Sequence, residues 1–254
     1  ILLVDAARLW RAEVDGLFQP VKSKVLEDAI PEHLRAKATP EGSAWFGLST
    51  RARIVVYDKL KVARSDVDTY EKLAAPQNKG KLCIRSGSHP YNLSLFGAMM
   101  EHWGAEKTQT WLAGLVANMA RSPKGGDTDQ IKGVASGECG IAVTNSYYMA
   151  RLLRSSNPED RAVAEKVGVV FPDQAGAGTH MNVAGGGVAR YAKNRDNAVK
   201  FLEYLVSSQA QNHFANGNNE WPVAKGVKIE NAALQSMSGG SFKSELIPVS
   251  AVGM

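Results

Sequence analysis

A short apolar run followed by polar residues and two adjacent tyrosines, at residues 139–148, places the strongest constraint on the fold. Ile141, Ala142 and Val143 form the kind of uninterrupted apolar run that is typical of a strand buried on both faces. A helical pattern begins near Tyr148, so the two tyrosines should lie just beyond the carboxyl end of that strand. Open α/β sheets bind their ligands at this edge. The pattern therefore predicts a buried sheet whose edge carries phenol groups.

The rest of the chain alternates between strand-like apolar runs and segments with helical spacing of apolar residues, which predicts an α/β fold. Strands are predicted at 1–4, 45–48, 53–57, 81–85, 141–143 and 168–172. Helices are predicted around 6–17, 23–29, 65–73, 95–103, 107–118, 128–134, 148–153, 161–167 and 195–206, with Ala6 the first apolar position of the first helix and Asp127 a cap. The glycine-rich stretch 175–187 is predicted to carry the chain back to the first half of the molecule.

The length and charge of the chain limit the classes of function. At 254 residues it is long enough for two domains. The formal net charge of +5 favours anionic partners, but the lysines and arginines are dispersed, which argues against a nucleic-acid-binding surface. No apolar stretch approaches ~18 residues, so no membrane span is expected. The chain begins abruptly in a strand and stops without a finished element, so we expect further sequence at both ends, and the lack of a signal peptide decides nothing about the compartment.

Several common catalytic motifs do not occur in the sequence. It contains no Gly-x-x-x-x-Gly-Lys-Ser/Thr phosphate loop, no Gly-x-Ser-x-Gly nucleophile elbow and no His-x-x-x-His pair, and its five histidines are scattered. His89 is retained as a candidate because it lies four residues past a predicted strand. The run 185–187, which consists of three glycines, is interpreted as flexible or closely packed backbone rather than as a phosphate site.

The two cysteines, Cys83 and Cys139, each belong to a short apolar segment that is predicted to be a strand. Two strands of one sheet can bring such residues together, and a disulfide forms where the compartment is oxidising. Two buried free thiols are the alternative. The residues themselves leave both interpretations open.

A second polar segment follows the strand predicted at 81–85. Ser86 and Gly87 belong to a small-residue turn whose backbone N–H groups can point towards an anion. Tyr91 lies five residues beyond Ser86, so it can face the same crevice as Tyr147 and Tyr148. The alternatives are a plain turn between a strand and a helix, and tyrosines of which one packs inward while the other covers a surface.

Phenol groups gathered in this way suit one kind of ligand. A phenolate is a hard oxygen donor that binds hard cations. Free phenol has a pKa near ~10, so only a strongly charged ion displaces its proton near neutral pH. Fe(III) is the natural candidate, because three phenolates neutralise its charge. Arg53 would then hold a synergistic anion or offset surplus negative charge.

At these residues the sequence resembles the bacterial periplasmic ferric-ion-binding proteins of ABC importers, in particular the tyrosine-rich cyanobacterial and marine type. Tyr91 together with the pair Tyr147 and Tyr148 is the most specific part of the similarity, which runs through essentially the whole chain. The matching stretches are 4–10, 51–57, 83–88, 91–92, 125–131, 145–148 and 201–205.

The resemblance implies an α/β, two-lobed periplasmic-binding-protein fold of type II, the Venus flytrap, with hinge strands around 52–58 and 167–175. Lobe I is expected to comprise 1–52 and 175–225 and to be incomplete at its amino-terminal end. Lobe II is expected to comprise 53–174 and 226–254. The metal is expected in the cleft between the lobes.

The resemblance also implies roles for single residues. Tyr91, Tyr147 and Tyr148 are the expected phenolate ligands, and Arg53 is the expected partner of a carbonate-like anion. Three further residues match positions that contact the anion in relatives: Ser86, Gly87 and Asn145. Asp5 falls where some relatives have a ligand carboxylate that the tyrosine-rich branch does not use. Family members contribute a further Tyr or His from an amino-terminal segment that is missing here, so this set of ligands is expected to be incomplete.

The resemblance therefore implies a monomeric, periplasmic, non-enzymatic protein that binds Fe(III) and delivers it to an ABC permease. A binding protein of the same fold for a small anion or a polyamine is the nearest alternative, with the tyrosines as walls of the cleft. An enzyme that uses a tyrosine as acid or base is a further alternative, but the sequence offers no evident nucleophile–base pair or cofactor motif.

Overall fold

A computed structural model describes residues 1–5 and 7–252. Ala6 and residues 253–254 lie outside the described residues, and so does the prediction that Ala6 begins the first helix. The chain divides into two compact units. Of the described residues, unit 1 contains 1–5, 7–51, 182–231 and 246–252, and unit 2 contains 52–181 and 232–245.

Strands and helices alternate along the described chain, which confirms the predicted α/β class. The strands are β1 Leu2–Asp5, β2 Phe18–Gln19, β3 Phe46–Asp58, β4 Leu82–Cys83, β5 Ile141–Asn145, β6 Val167–Val170, β7 Met181–Ala189 and β8 Trp221–Pro222. The α-helices are α1 Ala7–Val14, α2 Lys24–Ala29, α3 Pro90–Trp103, α4 Ala105–Ala117, α5 Asp127–Ser136, α6 Ser146–Arg154, α7 Pro158–Lys166, α8 Arg195–Leu205, α9 Ser208–Asn212 and α10 Ala232–Ser238. No helix in the described part of the chain is long and apolar enough to cross a membrane.

Unit 1 is built around β7, which pairs in antiparallel fashion with β1 and with β2. The glycines at 185–187 lie in this strand, where the chain packs too closely for side chains. A Cβ on Gly185 would lie 2.4 Å from the carbonyl oxygen of Phe46, and one on Gly187 would lie 2.3 Å from that of Ala44. Of the two interpretations of this run, close backbone packing is the one observed.

Unit 2 contains the second half of β3, which pairs in antiparallel fashion with β5 and β6, while β4 pairs in parallel with β5. Every residue of β5 is buried, as its apolar run predicts. The strands predicted at 45–48 and 53–57 are one continuous strand, β3. The polar residues between them can lie in a buried strand because they have partners: Ser49 donates to the carboxylate of Glu220, and Arg51 forms ion pairs with Asp5 and Glu220.

The chain passes between the units at 51–52, 181–182, 231–232 and 245–246. The segment 167–175, expected to be a hinge strand, lies inside unit 2, where β6 pairs with β3. Residues 246–252, which are part of the segment 226–254 expected in lobe II, belong to unit 1, where Val249 packs into the apolar core.

A disulfide joins Cys83 to Cys139, with the two Cα atoms 5.8 Å apart. This settles the choice between a disulfide and two free thiols. The bond connects β4 to the segment that leads into β5, at buried positions. It therefore constrains the two strands that are followed by the tyrosines.

Replacing Asp173 by asparagine is expected to stabilise the protein at neutral pH. Burial raises the pKa of this half-buried carboxyl group from 3.8 to about 6, although the backbone N–H of Tyr70 opposes the shift. Because this pKa is raised on folding, the folded state binds more protons than the unfolded state between pH ~4 and ~6. The buried charge of Asp173 therefore costs no stability below this window and its full destabilising effect is present above it. The residue has a positive φ of 61°, a conformation that asparagine tolerates.

Thermal unfolding at pH 7.5 and at pH 4.5 tests this prediction. Asp173→Asn should gain ~1 kcal/mol at pH 7.5, a figure discounted for solvent screening, and clearly less at pH 4.5. The control is Asp196→Asn, at an exposed position in the first turn of α8, which should not stabilise the protein because a negative charge there favours the helix. A loss of stability at both pH values would contradict the prediction.

Candidate metal centre

The three tyrosines named by the sequence come together in unit 2. Tyr91 lies in the first turn of α3, and Tyr147 and Tyr148 lie in the first turn of α6. The phenol oxygens of Tyr91 and Tyr147 are 3.2 Å apart. The rings of Tyr147 and Tyr148 stack, with their centres 4.2 Å apart. Two helices thus present a compact group of three phenols.

The sheet explains why these helices begin side by side. Leu82 pairs with Ile141 and Cys83 with Ala142 in parallel register, so both strands run towards the same sheet edge. Helix α6 begins at Ser146, directly after β5, whereas a turn at 84–89 separates β4 from α3. The group of phenols therefore lies at the carboxyl edge of parallel strands, where α/β sheets place ligands.

The protonation state of Tyr147 bears on what the group can bind. Burial, together with hydrogen bonds to Tyr148 and Tyr91, raises the pKa of Tyr147 well above its ordinary value of 10.0. The phenol is therefore protonated at neutral pH when no cation is present. A cation that binds here as a phenolate complex must supply the free energy that removes this proton.

Two arginines lie against the faces of the tyrosine rings. The Cζ of Arg85 is 5.2 Å from the ring centre of Tyr91, and that of Arg151 is 4.9 Å from the ring centre of Tyr147 and 5.8 Å from that of Tyr148. These distances are within the range of cation–π contacts.

Arg53 is fully buried and forms bonds with the segments that flank the tyrosines. Its Nη1 donates to Asp127 at 2.7 Å and to Asn145 at 3.2 Å, and its Nη2 donates to Asn92 at 2.5 Å. Within the described part of the chain its Nε has no hydrogen-bond partner. Asp127 also accepts a hydrogen bond from Arg85 at 3.3 Å.

The small-residue turn predicted to bind an anion lies beside Tyr91. Ser86 and Gly87 are exposed, and the side-chain amide of Asn92 donates to the carbonyl oxygens of Arg85 and Ser86 at 3.0 Å each. His89 is the N-cap of α3: its Nδ1 accepts from the backbone N–H of Tyr91 at 3.3 Å, and the two rings meet edge to face with centres 4.5 Å apart.

Asp5 is the one candidate residue that belongs to unit 1, where Arg51 donates to it at 3.1 Å. The other candidates all belong to unit 2. Among the described residues, no group of three or more His, Cys, Asp or Glu side chains is placed to hold a metal ion.

Asp127 does not cap α5 as predicted. Gly126 is the N-cap residue, and its backbone N–H donates to Asp129 at 2.7 Å, while the carboxylate of Asp127 turns to Arg53, Arg85 and the backbone N–H of Asn145. A signal was present in the sequence: the first turn of α5 has two aspartates, and the one that accepts the N–H of the N-cap residue is Asp129. Three further residues contact the predicted site but were not predicted as part of it: Asn92, Arg85 and Arg151.

Known proteins with similar sequences are binding proteins for solutes or iron. A model of the family described as bacterial extracellular solute-binding protein matches residues 1–236. Iron uptake proteins A1 and A2 of Synechocystis sp. are 49% and 46% identical to the chain; the alignments cover 100% of it and 68% and 72% of those proteins. The Fe(3+)-binding periplasmic protein of Serratia marcescens is 24% identical, over 89% of this chain and 61% of its own.

Solved structures show the same similarity in three dimensions. The Trichodesmium protein IdiA (FutA) in complex with iron and citrate ligands is 51% identical, with a TM-score of 0.91 over 98% of this chain and 77% of that chain. The ferric binding protein from Campylobacter jejuni is 36% identical, with a TM-score of 0.90 over the same shares, 98% and 77%. These matches confirm the type II periplasmic-binding-protein fold that the resemblance implied.

Proposed function

The chain belongs to the family of bacterial extracellular solute-binding proteins, and we propose that its solute is ferric iron, held by the phenolates of Tyr91, Tyr147 and Tyr148. This is a family of binding proteins for transport rather than a class of enzymes. The observation that carries the proposal is the group of phenols itself, in which the oxygens of Tyr91 and Tyr147 are 3.2 Å apart. The iron uptake and ferric binding proteins that resemble this chain support the choice of metal.

The donor set favours Fe(III) over divalent ions. Phenolate is a hard, negatively charged oxygen ligand, and hard cations of high charge bind such ligands most strongly. Three phenolates neutralise Fe(III), whereas a divalent ion and three phenolates would together carry one uncompensated negative charge. The raised pKa of Tyr147 acts in the same direction, because only a strongly charged cation displaces its proton.

A synergistic anion completes the proposed site. Carbonate or a carboxylate such as citrate would accept hydrogen bonds from the turn at Ser86 and Gly87, from Asn145 and from the Nε–H of Arg53. The positive charges of Arg85 and Arg151 favour a negatively charged ligand close to the phenols. The citrate in the Trichodesmium complex supports this kind of anion. His89 remains a neighbour of Tyr91 that can contact the anion, and Asp5 is given no part in binding iron.

The proposed biological role is iron uptake. We place the protein in the periplasm as a monomer that gives its iron to an ABC permease. The proteins similar to this chain, which include a periplasmic Fe(3+)-binding protein and two iron uptake proteins, support this role.

Titration with ferric citrate at pH 7.5, followed by visible absorption, tests the proposed function. A phenolate-to-iron charge-transfer band that saturates at one equivalent is the expected result. A chain that shows no band but binds a small anion or a polyamine would contradict the proposal and favour the alternative binding function.

Acidification is expected to release the iron. Each phenol that binds the metal gives up a proton, so up to three protons compete with Fe(III), and the apparent affinity falls by as much as ~10³-fold for each pH unit below neutrality. Affinity for iron falls on acidification because the pKa of Tyr147 is raised, so the metal-free phenol holds its proton. Measuring the charge-transfer band against pH checks this, and unchanged occupancy at pH 5 would contradict phenolate ligation.

A further inference from the structure

Asp127 is a buried acidic residue at the phenol group that has no part in the proposed set of iron and anion ligands. Its side chain and that of Arg53 are both fully buried and form an ion pair at 2.7 Å. The same carboxylate accepts hydrogen bonds from Arg85 at 3.3 Å and from the backbone N–H of Asn145 at 2.7 Å. A buried carboxylate with three donors is firmly held in one position.

Through these bonds Asp127 determines where the guanidinium of Arg53 lies. The two N–H groups of Arg53 Nη1 point to Asp127 and Asn145, and Nη2 points to Asn92. Asn92 is the neighbour of Tyr91 on α3, and Asn145 lies two residues before Tyr147. Arg53 therefore joins the starts of the two phenol-bearing helices, and Asp127 holds it in that position.

Asp127 also cancels the charge of Arg53. The Cζ of Arg53 is 5.9 Å from the ring centre of Tyr91, so an unpaired charge there would act strongly on a ligand bound at the phenols. Fe(III) and three phenolates are together neutral, and Arg85 and Arg151 lie beside them, so these groups leave a surplus of positive charge, to which a further ligand would add its own charge. The Arg53–Asp127 pair adds nothing to this surplus, so the loss of either partner changes it by one unit.

We propose that Asp127 is a positioning residue that sets the net charge of the site and thereby the charge of the anion that the site accepts together with iron. The inference rests on the proposed function, since it concerns the anion bound beside the metal. Removing the charge of Asp127 leaves the surplus one unit larger and favours a triply negative anion. Removing the charge of Arg53 leaves it one unit smaller and disfavours such an anion.

The test compares two probe anions on the iron-loaded protein. Citrate carries three negative charges at pH 7.5 and oxalate carries two, and the concentration of each that half-saturates its shift of the charge-transfer band is measured. Asp127→Asn should change the ratio of these concentrations about tenfold in favour of citrate, the size expected for one unit charge at ~10 Å in a medium of effective dielectric constant ~20. Arg53→Gln should change it in the opposite direction.

The matched control is Asp129→Asn. It removes the same charge from the same helix at an exposed position that does not contact Arg53, so the citrate-to-oxalate ratio should stay as in the wild type. Breaking a buried ion pair is destabilising, whereas removing both partners is often tolerated. The double variant Arg53→Gln/Asp127→Asn should therefore fold better than either single variant and give a ratio between those of the two.

The outcomes distinguish a failure of the proposed iron-binding function from a failure of the proposed role of Asp127. A wild-type protein without a charge-transfer band would overturn the proposed function itself. Two results would overturn the role of Asp127 alone when the wild-type band is normal. One is a citrate-to-oxalate ratio that is equal in all variants. The other is a ratio that moves in the same direction in Asp127→Asn and in Arg53→Gln. If Asp127→Asn does not fold, the ratios of Arg53→Gln and of the double variant decide, because the proposal requires the first to differ from the wild type and the second to return towards it.

Discussion

The double variant Tyr147→Phe/Tyr148→Phe is expected to bind Fe(III) on the order of 10⁴-fold more weakly than the wild type, because two of the three named ligands lose their donor oxygen. The visible charge-transfer band should weaken to the level that Tyr91 alone can give. The rings stack at 4.2 Å, and phenylalanine preserves that contact, so the fold should persist. Competition with a ferric chelator of known affinity, together with visible absorption, measures both effects.

Matched variants separate loss of ligands from loss of structure. Tyr204 lies on α8 of unit 1, where it is exposed and stacks on Phe201, so Tyr204→Phe should leave iron binding unchanged. Tyr91→Phe should weaken binding by itself, because Tyr91 supplies a phenol from a different helix. If the double variant kept its affinity, the tyrosines would be walls of the site, as the anion- or polyamine-binding alternative requires.

The position of each tyrosine past the end of a strand was predictable because it depends on short-range patterns. An apolar run identifies β5 as a buried strand, and the change to helical spacing at Tyr148 places the tyrosines just past its end. After β4, a short turn and the start of a helical pattern likewise place Tyr91 beyond the end of a strand. Parallel pairing of β4 with β5 then brings the two helix starts together. Local periodicity and one rule about sheet edges therefore place each tyrosine past the end of a strand. The pairing that brings the two strand ends together is a long-range contact that the structure supplies.

The charged groups around the phenols were not predictable in the same way. The Arg53–Asp127 pair spans 74 positions of sequence, and no local pattern reports a contact of that kind. An aspartate at the start of a helix has an ordinary explanation as a cap, which concealed the role of Asp127. The predicted break within β3 failed for a related reason: buried polar residues there have partners far away in sequence, such as Glu220 for Arg51.

Removing the Cys83–Cys139 disulfide is expected to lower the free energy of unfolding by about 4 kcal/mol. The bond closes a loop with a sequence separation of 56 residues, and the loss of chain entropy that such a closure imposes on the unfolded state corresponds to about that value. For a protein of this size the melting temperature should fall by roughly 8–16 °C. Alanine is the better replacement at both positions, because a serine would bury a hydroxyl group.

The measurement is thermal unfolding of the wild type and of Cys83→Ala/Cys139→Ala, each with and without dithiothreitol. The reductant should lower the melting temperature of the wild type towards that of the variant and leave the variant unchanged, since the described chain has no free cysteine. Equal melting temperatures for oxidised wild type and variant would contradict the prediction. Iron affinity should fall much less than stability, because the parallel pairing of Leu82 and Cys83 with β5 still aligns the two strands that lead to the phenols.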